Sequence, residues 1–363
     1  MRVLHIDTEM SWRGGQQQAV YLYEEMLKRG FETCFICRPG SRIAEYFLSR
    51  NLPYKQIPFW GEWDFFHGLR LALWAKQERY NILHLHSAHA LSWGLWTKIF
   101  FPKLRLVAVK RVCTSVKRNP LSSLKYKNKL LDVIITISDT IRQGLIADGL
   151  EENKIITVYS GIDPDKFSKY KMNNKDADSS HDSLRLGTIA AFTREKDYPN
   201  YLRAASLVIR ERPAIHFLAA GDGYLLPEMK KLAKELGITA NFTFTGFQSD
   251  IGKYLASIDI FVLASRKEGL GTSVLDAQAV GLPVIATKTG GIPEIISDGV
   301  NGILVEPGNP GKLAAAILNL ADNPKRRKQL GDKAKETVQN FSIEKTVEKN
   351  IMVYKELFDD KSR

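Results

Sequence analysis

Residues 266–296 read RKEGLGTSVLDAQAVGLPVIATKTGGIPEII. Two carboxylates, Glu268 and Asp276, stand in it with seven residues between them. GLGTS opens a helix-like run, and GLPVIAT and TGGIPEII follow. The order is strand, glycine loop, helix, glycine turn, short buried strand. Such a unit can offer backbone N–H groups and a helix N-terminus to an anion. Gly271, Thr272 and Ser273 begin the helix, so their N–H groups are the candidates for a distal phosphate. Glu268 sits in the loop and Asp276 one or two turns into the helix. Both can face one crevice, where carboxylates accept hydrogen bonds from sugar hydroxyls.

The same alternation extends in both directions. Upstream come VLHID, AVYLYEEMLKRG, TCFICRP, RIAEYFLSRN, PYKQIPF, FFHGLRLALWAKQERY and ILHLHS, alternating strand and helix. RLVAVK, VIITIS and KIITVYSG complete this first series. A helix covers 90–100, and His89 falls in the loop before it. Residues 168–183, SKYKMNNKDADSSHDS, lack apolar periodicity and read as a linker. A second series begins at LRLGTIAAF and ends in helices over LAAAILNLAD, KRRKQLGDKAKETVQ and about 342–358. At 363 residues the chain exceeds one core. The fold class is α/β, two Rossmann-like domains with parallel sheets, over 1–167 and 184–341.

Composition is that of a soluble protein, 44% hydrophobic and 25% charged. No run is long enough to span a bilayer. MRVLHIDTE reads as a strand rather than a signal peptide, so the expectation is cytoplasmic. Cys34 and Cys37 lie three apart on a strand, hence on opposite faces, and with Cys113 alone remaining no four-cysteine zinc site exists. The net charge is +12, and Lys110–Lys129 holds seven basic residues, Lys110, Arg111, Lys117 and Arg118 among them, with no acid. Such a run attracts phosphates, anionic headgroups or nucleic acid, or is a solvated face. Positive charge and aromatics are not interleaved as in a stacking groove, which argues against nucleic acid.

Several further residues can carry chemistry. WRGGQQQ after the first strand is no dinucleotide fingerprint, yet Gly14 and Gly15 let a ligand approach the backbone. His84, His86 and His89 cluster in ILHLHSAH. Adjacent strand geometry rarely converges three imidazoles on one ion, and no nearby carboxylate completes the set, so no metal is expected. A strand-end histidine can instead donate to a sugar hydroxyl or phosphate. TIAAFTREKDYPN places Arg194 and Lys196 in a loop after a strand, and GDGY and TGF end strands of the second sheet. FWGEWDFF sets Trp60, Trp63, Phe65 and Phe66 at an interface or under the next helix.

The stretch from Glu268 to Asp276, with Lys196 before it, resembles the donor site of retaining GT-B glycosyltransferases, the large glycosyl transferase group 1 family. The family has glutamate, seven residues, glutamate; here the second acid is Asp276, one methylene shorter. The family pairs an arginine with its lysine; Ala191 stands at the arginine position, and Arg194 is a substitute three residues on. The resemblance implies two domains facing a cleft that closes to exclude water, with the helix at 342–363 packing back on the first. It implies that Lys196, Arg194 and the N–H groups at 271–273 hold a diphosphate, and that Glu268 binds the donor sugar. Asp276 takes the ribose, and Gly246 and Phe247 meet the base. His86 lies near the transferred sugar, and Gly14 and Gly15 near the diphosphate. The implied reaction is metal-independent, retaining transfer from a nucleoside diphosphate sugar to an acceptor hydroxyl, in lipopolysaccharide or other surface-glycan synthesis. No cofactor is bound covalently; the nucleotide sugar is the co-substrate. The expected acceptor is a glycan or lipid-linked anion on the first domain. Lys110, Arg111, Lys117 and Arg118 would serve that acceptor or the inner face of a membrane. The other readings are a nucleotide-sugar epimerase and a non-catalytic sugar- or nucleic-acid-binding protein on the same scaffold.

Overall fold

Four successive buried residues, VLHI, make β1 (Val3–Ile6), the pattern of a strand covered on both faces. The computed structural model describes residues 1–167, 170 and 184–359. The stretch read as a linker, 168–183, lies outside the described residues except for Tyr170. By its contacts the chain forms two units, Met1–Gly161 with Ile343–Arg363, and Ile162–Ser342.

In the first unit β1 is followed by α1 (Gly14–Lys28), β2 (Thr33–Cys37), α2 (Arg42–Ser49) and β3 (Tyr54–Gln56). Then come α3 (Phe65–Gln77), β4 (Ile82–Leu85), α4 (Ala88–Phe100) and β5 (Arg105–Lys110). α5 (Pro120–Tyr126), β6 (Val133–Thr136), α6 (Asp139–Ala147) and β7 (Ile155–Thr157) complete the run. All seven strands are parallel, in the order β3-β2-β1-β4-β5-β6-β7. Leu4 and Ile6 point to one face, where Leu71, Ala75, Ala90 and Trp93 of α3 and α4 cover them. His5 points to the other, where α1 and α2 supply Ala19, Val20, Tyr23 and Phe47 around Phe35. Cys34 packs with the first group and Cys37 with the second.

The second unit has β8 (Arg185–Ile189), α7 (Tyr198–Glu211), β9 (His216–Ala220), α8 (Leu226–Glu235), β10 (Phe242–Gly246) and α9 (Ile251–Ala256). β11 (Ile260–Leu263), α10 (Thr272–Val280), β12 (Val284–Thr287), α11 (Ile292–Ile295) and β13 (Ile303–Val305) follow. α12 (Pro310–Ala321) and α13 (Pro324–Thr337) close it. Among its described residues six strands run parallel in the order β10-β9-β8-β11-β12-β13. The last helix, α14 (Ile343–Asp359), belongs to the first unit and packs against α1.

Both sheets are Rossmann-like. Each reverses its strand order once, between β1 and β4 and between β8 and β11. The carboxyl ends of strands at such a reversal leave a crevice for ligands. Helices start directly after β4 and β6 because the sequence places caps there: Ser87 and Ser138 accept from the N–H groups of Ala90 and Ile141. The cap at Ser87 starts α4 at Ala88, so His89 is helical rather than in a loop. α5, capped by Asn119 and opened by Pro120, and α6 are helices that periodicity did not reveal.

Candidate active site

In the second unit the chain leaves β8 through Ala190 and Ala191 into a single 3₁₀ turn, Arg194–Lys196. The left-handed Asp197 ends that turn, at φ 46°. The loop after β11, the neighbouring strand, is tied to it. Arg266 and Lys267 donate their N–H groups to the Glu195 carbonyl, at 2.7 and 3.3 Å. The Arg266 guanidinium reaches the Asp197 carboxylate at 2.7 Å. Two buried-side groups then meet: the Lys196 ammonium pairs with the Glu268 carboxylate, which also accepts from Ser265 Oγ at 2.8 Å. Glu268 is only 8% exposed.

Glycines allow these loops to come so close. A Cβ on Gly290 would stand 1.8 Å from the Glu268 carbonyl oxygen, and its φ is +53°. A Cβ on Gly221 would stand 2.1 Å from the carbonyl oxygen of Ala190.

Gly271, left-handed at φ 96°, precedes α10 and has no side chain to cap it, and the first turn holds no acid. The leading N–H groups of Thr272 and Ser273 are therefore left uncapped at a positive helix end, an arrangement that can accept an anion. Asp276 lies one turn further on, half-buried. Burial pushes its carboxyl up to about 6, with Lys166 pulling the other way. Ala191 leaves no charge where the family has arginine, and Arg194 is exposed on the same turn. Gly246 ends β10 at φ 71°, and Phe247 after it is exposed.

The first unit carries a separate polar cluster at the strand reversal. His5 and His84 are register partners across β1 and β4, and His86 lies on the same face of its strand. His5 Nδ1 and His86 Nε2 are 2.9 Å apart. Arg111 donates to His86 Nδ1 at 3.3 Å. A guanidinium only donates, so His86 Nδ1 accepts, its Nε2–H donates to His5, and His5 keeps its proton on Nε2. Tyr354 of α14 bonds His84 Nδ1. Burial lowers all three imidazoles, His5 to about 3, and keeps them neutral. Ligand atoms of the three histidines lie within 4.8 Å of one another. The donor set fits hydrogen bonding better than a cation, because the facing nitrogens bond each other and a guanidinium adds positive charge beside them.

Asp7, at the end of β1, completes this cluster. It accepts from Gln16 Nε2 at 3.1 Å and from the Glu9 N–H at 2.8 Å. Burial raises its carboxyl to about 6, the nearby Arg111 lowering it slightly. Gly14 and Gly15 open α1 here, and a Cβ on Gly15 would meet the Arg111 side chain at 3.0 Å.

Two expected surface cations are corrected. Lys110 ends β5 with 7% exposure, its ammonium over the Tyr126 ring and 3.1 Å from Thr114 Oγ1. Arg111 turns inward to His86. A basic run was legible; which of its members a strand end draws inside was not. Lys117 and Arg118 are exposed. His5, Asp7, Gln16, Ser265 and Tyr354 were missed. His5 shows only through strand register, and Tyr354 lies 270 residues from its partner.

The model of the family glycosyl transferases group 1 matches residues 171–337, and that of glycosyltransferase family 4 matches 12–166. N-acetyl-alpha-D-glucosaminyl L-malate synthase of Bacillus anthracis is 28% identical over 361 residues, 94% of this chain and 93% of that one. The lipopolysaccharide core biosynthesis glycosyltransferase LpsE of Rhizobium meliloti is 30% identical over 168 residues, 46% of this chain and 48% of that one. With two other curated relatives the match spans 63% and 62% of their length. HepE of Anabaena, solved with UDP-glucose, has the same fold, at TM-score 0.84 and 17% identity over 98% of this chain and 100% of that one. The fold is therefore GT-B, and the chain belongs to the glycosyl transferases group 1 family.

Proposed function

We propose that this protein transfers a sugar, with retention and without a metal ion, from a UDP-sugar to a hydroxyl of an anionic glycan acceptor in cell-surface glycan synthesis. The Lys196–Glu268 pair beside the uncapped start of α10 carries the reading. Departure of the diphosphate is the hard step, and its developing charge needs fixed donors. Lys196 supplies a cation, Arg194 a second from the same turn, and Thr272 and Ser273 supply N–H groups. Glu268, held by Lys196 and Ser265, is set to accept from donor-sugar hydroxyls rather than to attack the anomeric carbon. Asp276 accepts from the ribose, and Gly246 and Phe247 border the base. On the first unit His86 lies near the transferred sugar, and the exposed Lys117 and Arg118 are the counter-charges for an anionic acceptor. The relatives support this reading: HepE was solved with UDP-glucose, and LpsE is named for lipopolysaccharide core synthesis.

A thermal-shift series with UDP, GDP, ADP and CMP, each with and without magnesium, tests the donor side. A ligand that binds only the native state raises its apparent stability. The expected result is a shift by UDP alone, the same with magnesium as without. A shift by none of them at saturation would leave the scaffold without a nucleotide role, and a shift that requires magnesium would remove metal independence.

A further inference from the structure

Ala191 leaves the loop after β8 without the arginine that the family pairs with its lysine. The loop after the neighbouring strand β9, Gly221 to Tyr224, comes up against it. Backbone bonds set its path. Phe192 donates its N–H to the Asp222 carbonyl at 2.9 Å, and Leu225 donates its own to the Phe192 carbonyl at 3.1 Å. Glycine makes the approach possible, since a Cβ on Gly223 would stand 2.6 Å from the Phe192 carbonyl oxygen. The Asp222 carboxylate accepts from the Gly223 N–H at 2.7 Å and is thereby turned back on its own loop.

Tyr224 projects from this fixed loop and is 65% exposed. Its hydroxyl is nevertheless placed. Oη accepts from the Arg194 N–H at 3.4 Å. Arg194 opens the 3₁₀ turn, so its N–H has no partner inside that turn. A backbone N–H only donates, so the phenol is the acceptor there and its own proton points elsewhere. A 3₁₀ turn rises about 2 Å per residue, which sets Lys196 about 4 Å along the axis from Arg194. The hydroxyl thus stands within one short turn of Lys196, the cation paired with Glu268. It offers a free O–H on the side of the site where Ala191 offers nothing.

We infer that Tyr224 is a further donor-site residue, whose hydroxyl donates a hydrogen bond to the nucleoside diphosphate in place of the arginine that Ala191 lacks. This rests on the UDP-sugar reading above and adds a contact to it. A neutral donor holds a developing negative charge less firmly than a guanidinium does. Returning an arginine at 191 should therefore make the hydroxyl dispensable.

Titration calorimetry of the full chain with UDP and with uridine tests it, and no sugar transfer enters the measurement. Y224F keeps the ring and loses only the hydroxyl. It should bind UDP about tenfold more weakly and change uridine affinity by less than about twofold, with an unchanged Tm. A191R/Y224F should regain at least the wild-type affinity for UDP. A Y224F chain that binds UDP like wild type overturns the inference. If Y224A then weakens UDP and uridine alike, the ring stacks on the base instead. Equal losses for UDP and uridine in Y224F, or no regain in A191R/Y224F, would make Tyr224 a prop for the turn and overturn the inference too. A wild-type chain without affinity for UDP removes the UDP-sugar reading itself, and this contact with it.

Discussion

Asp276 is held against its own preference. Its carboxyl titrates near 6 because burial disfavours the charge, while the unfolded chain would titrate near the ordinary 3.8. Between those values the native state keeps a proton that the unfolded state has released. Ionised Asp276 therefore costs stability at neutral pH, and the cost fades as pH falls through about 6 towards 4. Asp276→Asn should raise the Tm of the free protein by a few degrees at about pH 7.5 and leave it unchanged at about pH 4. The same variant should weaken UDP binding about tenfold, since an amide is a poorer acceptor for ribose hydroxyls than a carboxylate. Equal Tm values at neutral pH would remove the burial argument, and equal UDP affinities the ribose role. Glu268→Ala acts differently. It leaves Lys196 and Ser265 without their shared acceptor at a partly solvated site, so the fold should persist while turnover falls about a hundredfold or more. Turnover near wild type in a folded variant would take Glu268 out of the mechanism. The placement of these residues was legible because their spacing is local: one loop and one helix turn hold Glu268, Gly271 and Asp276. The inward turn of Lys110 and Arg111 was not, because it depends on which strands flank β5.

At the scale of elements, strands announced themselves as short apolar runs between glycine and polar breaks. α5 and α6 did not. α5 has seven residues in a basic run, too few for a period to show, and α6 follows its strand with no polar break but the cap Ser138. α14 was legible as a helix, yet its buried partner was not. Tyr354 reaches His84 in the buried layer on the α1 side of the sheet, where the histidine cluster sits. His84 Nε2 has no hydrogen-bond partner among the described residues. Tyr354→Phe would leave Nδ1 unpaired as well. The expected cost is about 1–3 kcal/mol, the penalty for stranding a buried polar group. Urea unfolding should show a lower midpoint at unchanged slope. An unchanged midpoint would mean that the hydroxyl adds nothing to the docking of α14.

At the scale of the whole molecule, chain order and unit membership disagree, and this has a consequence for folding. The second unit, Ile162–Ser342, is contiguous and has its own core, from Leu186 and Phe217 through Leu313 to Leu330. The first is interrupted: it needs α14, which comes last in the sequence. Val347, Ile351 and Tyr354 of that helix are buried, and Thr346 Oγ1 donates to the Tyr159 carbonyl at 2.8 Å. A fragment of residues 1–161 would expose the apolar side of α1 and leave His84 without Tyr354. It should therefore bind a hydrophobic dye and melt without a cooperative transition. The fragment 162–342 should melt cooperatively and keep its response to UDP. Ile162 and Ser342 form a parallel bridge, so the two points where the chain changes unit lie side by side. A few glycine and serine residues, at about 3.3 Å each, can then join Gly161 to Ile343. That fusion, residues 1–161 linked to 343–363, should restore a cooperative transition that residues 1–161 alone lack. A cooperative 1–161 fragment would show that α14 decorates the first unit instead of completing it, and a fusion as molten as the fragment would place the missing stability elsewhere.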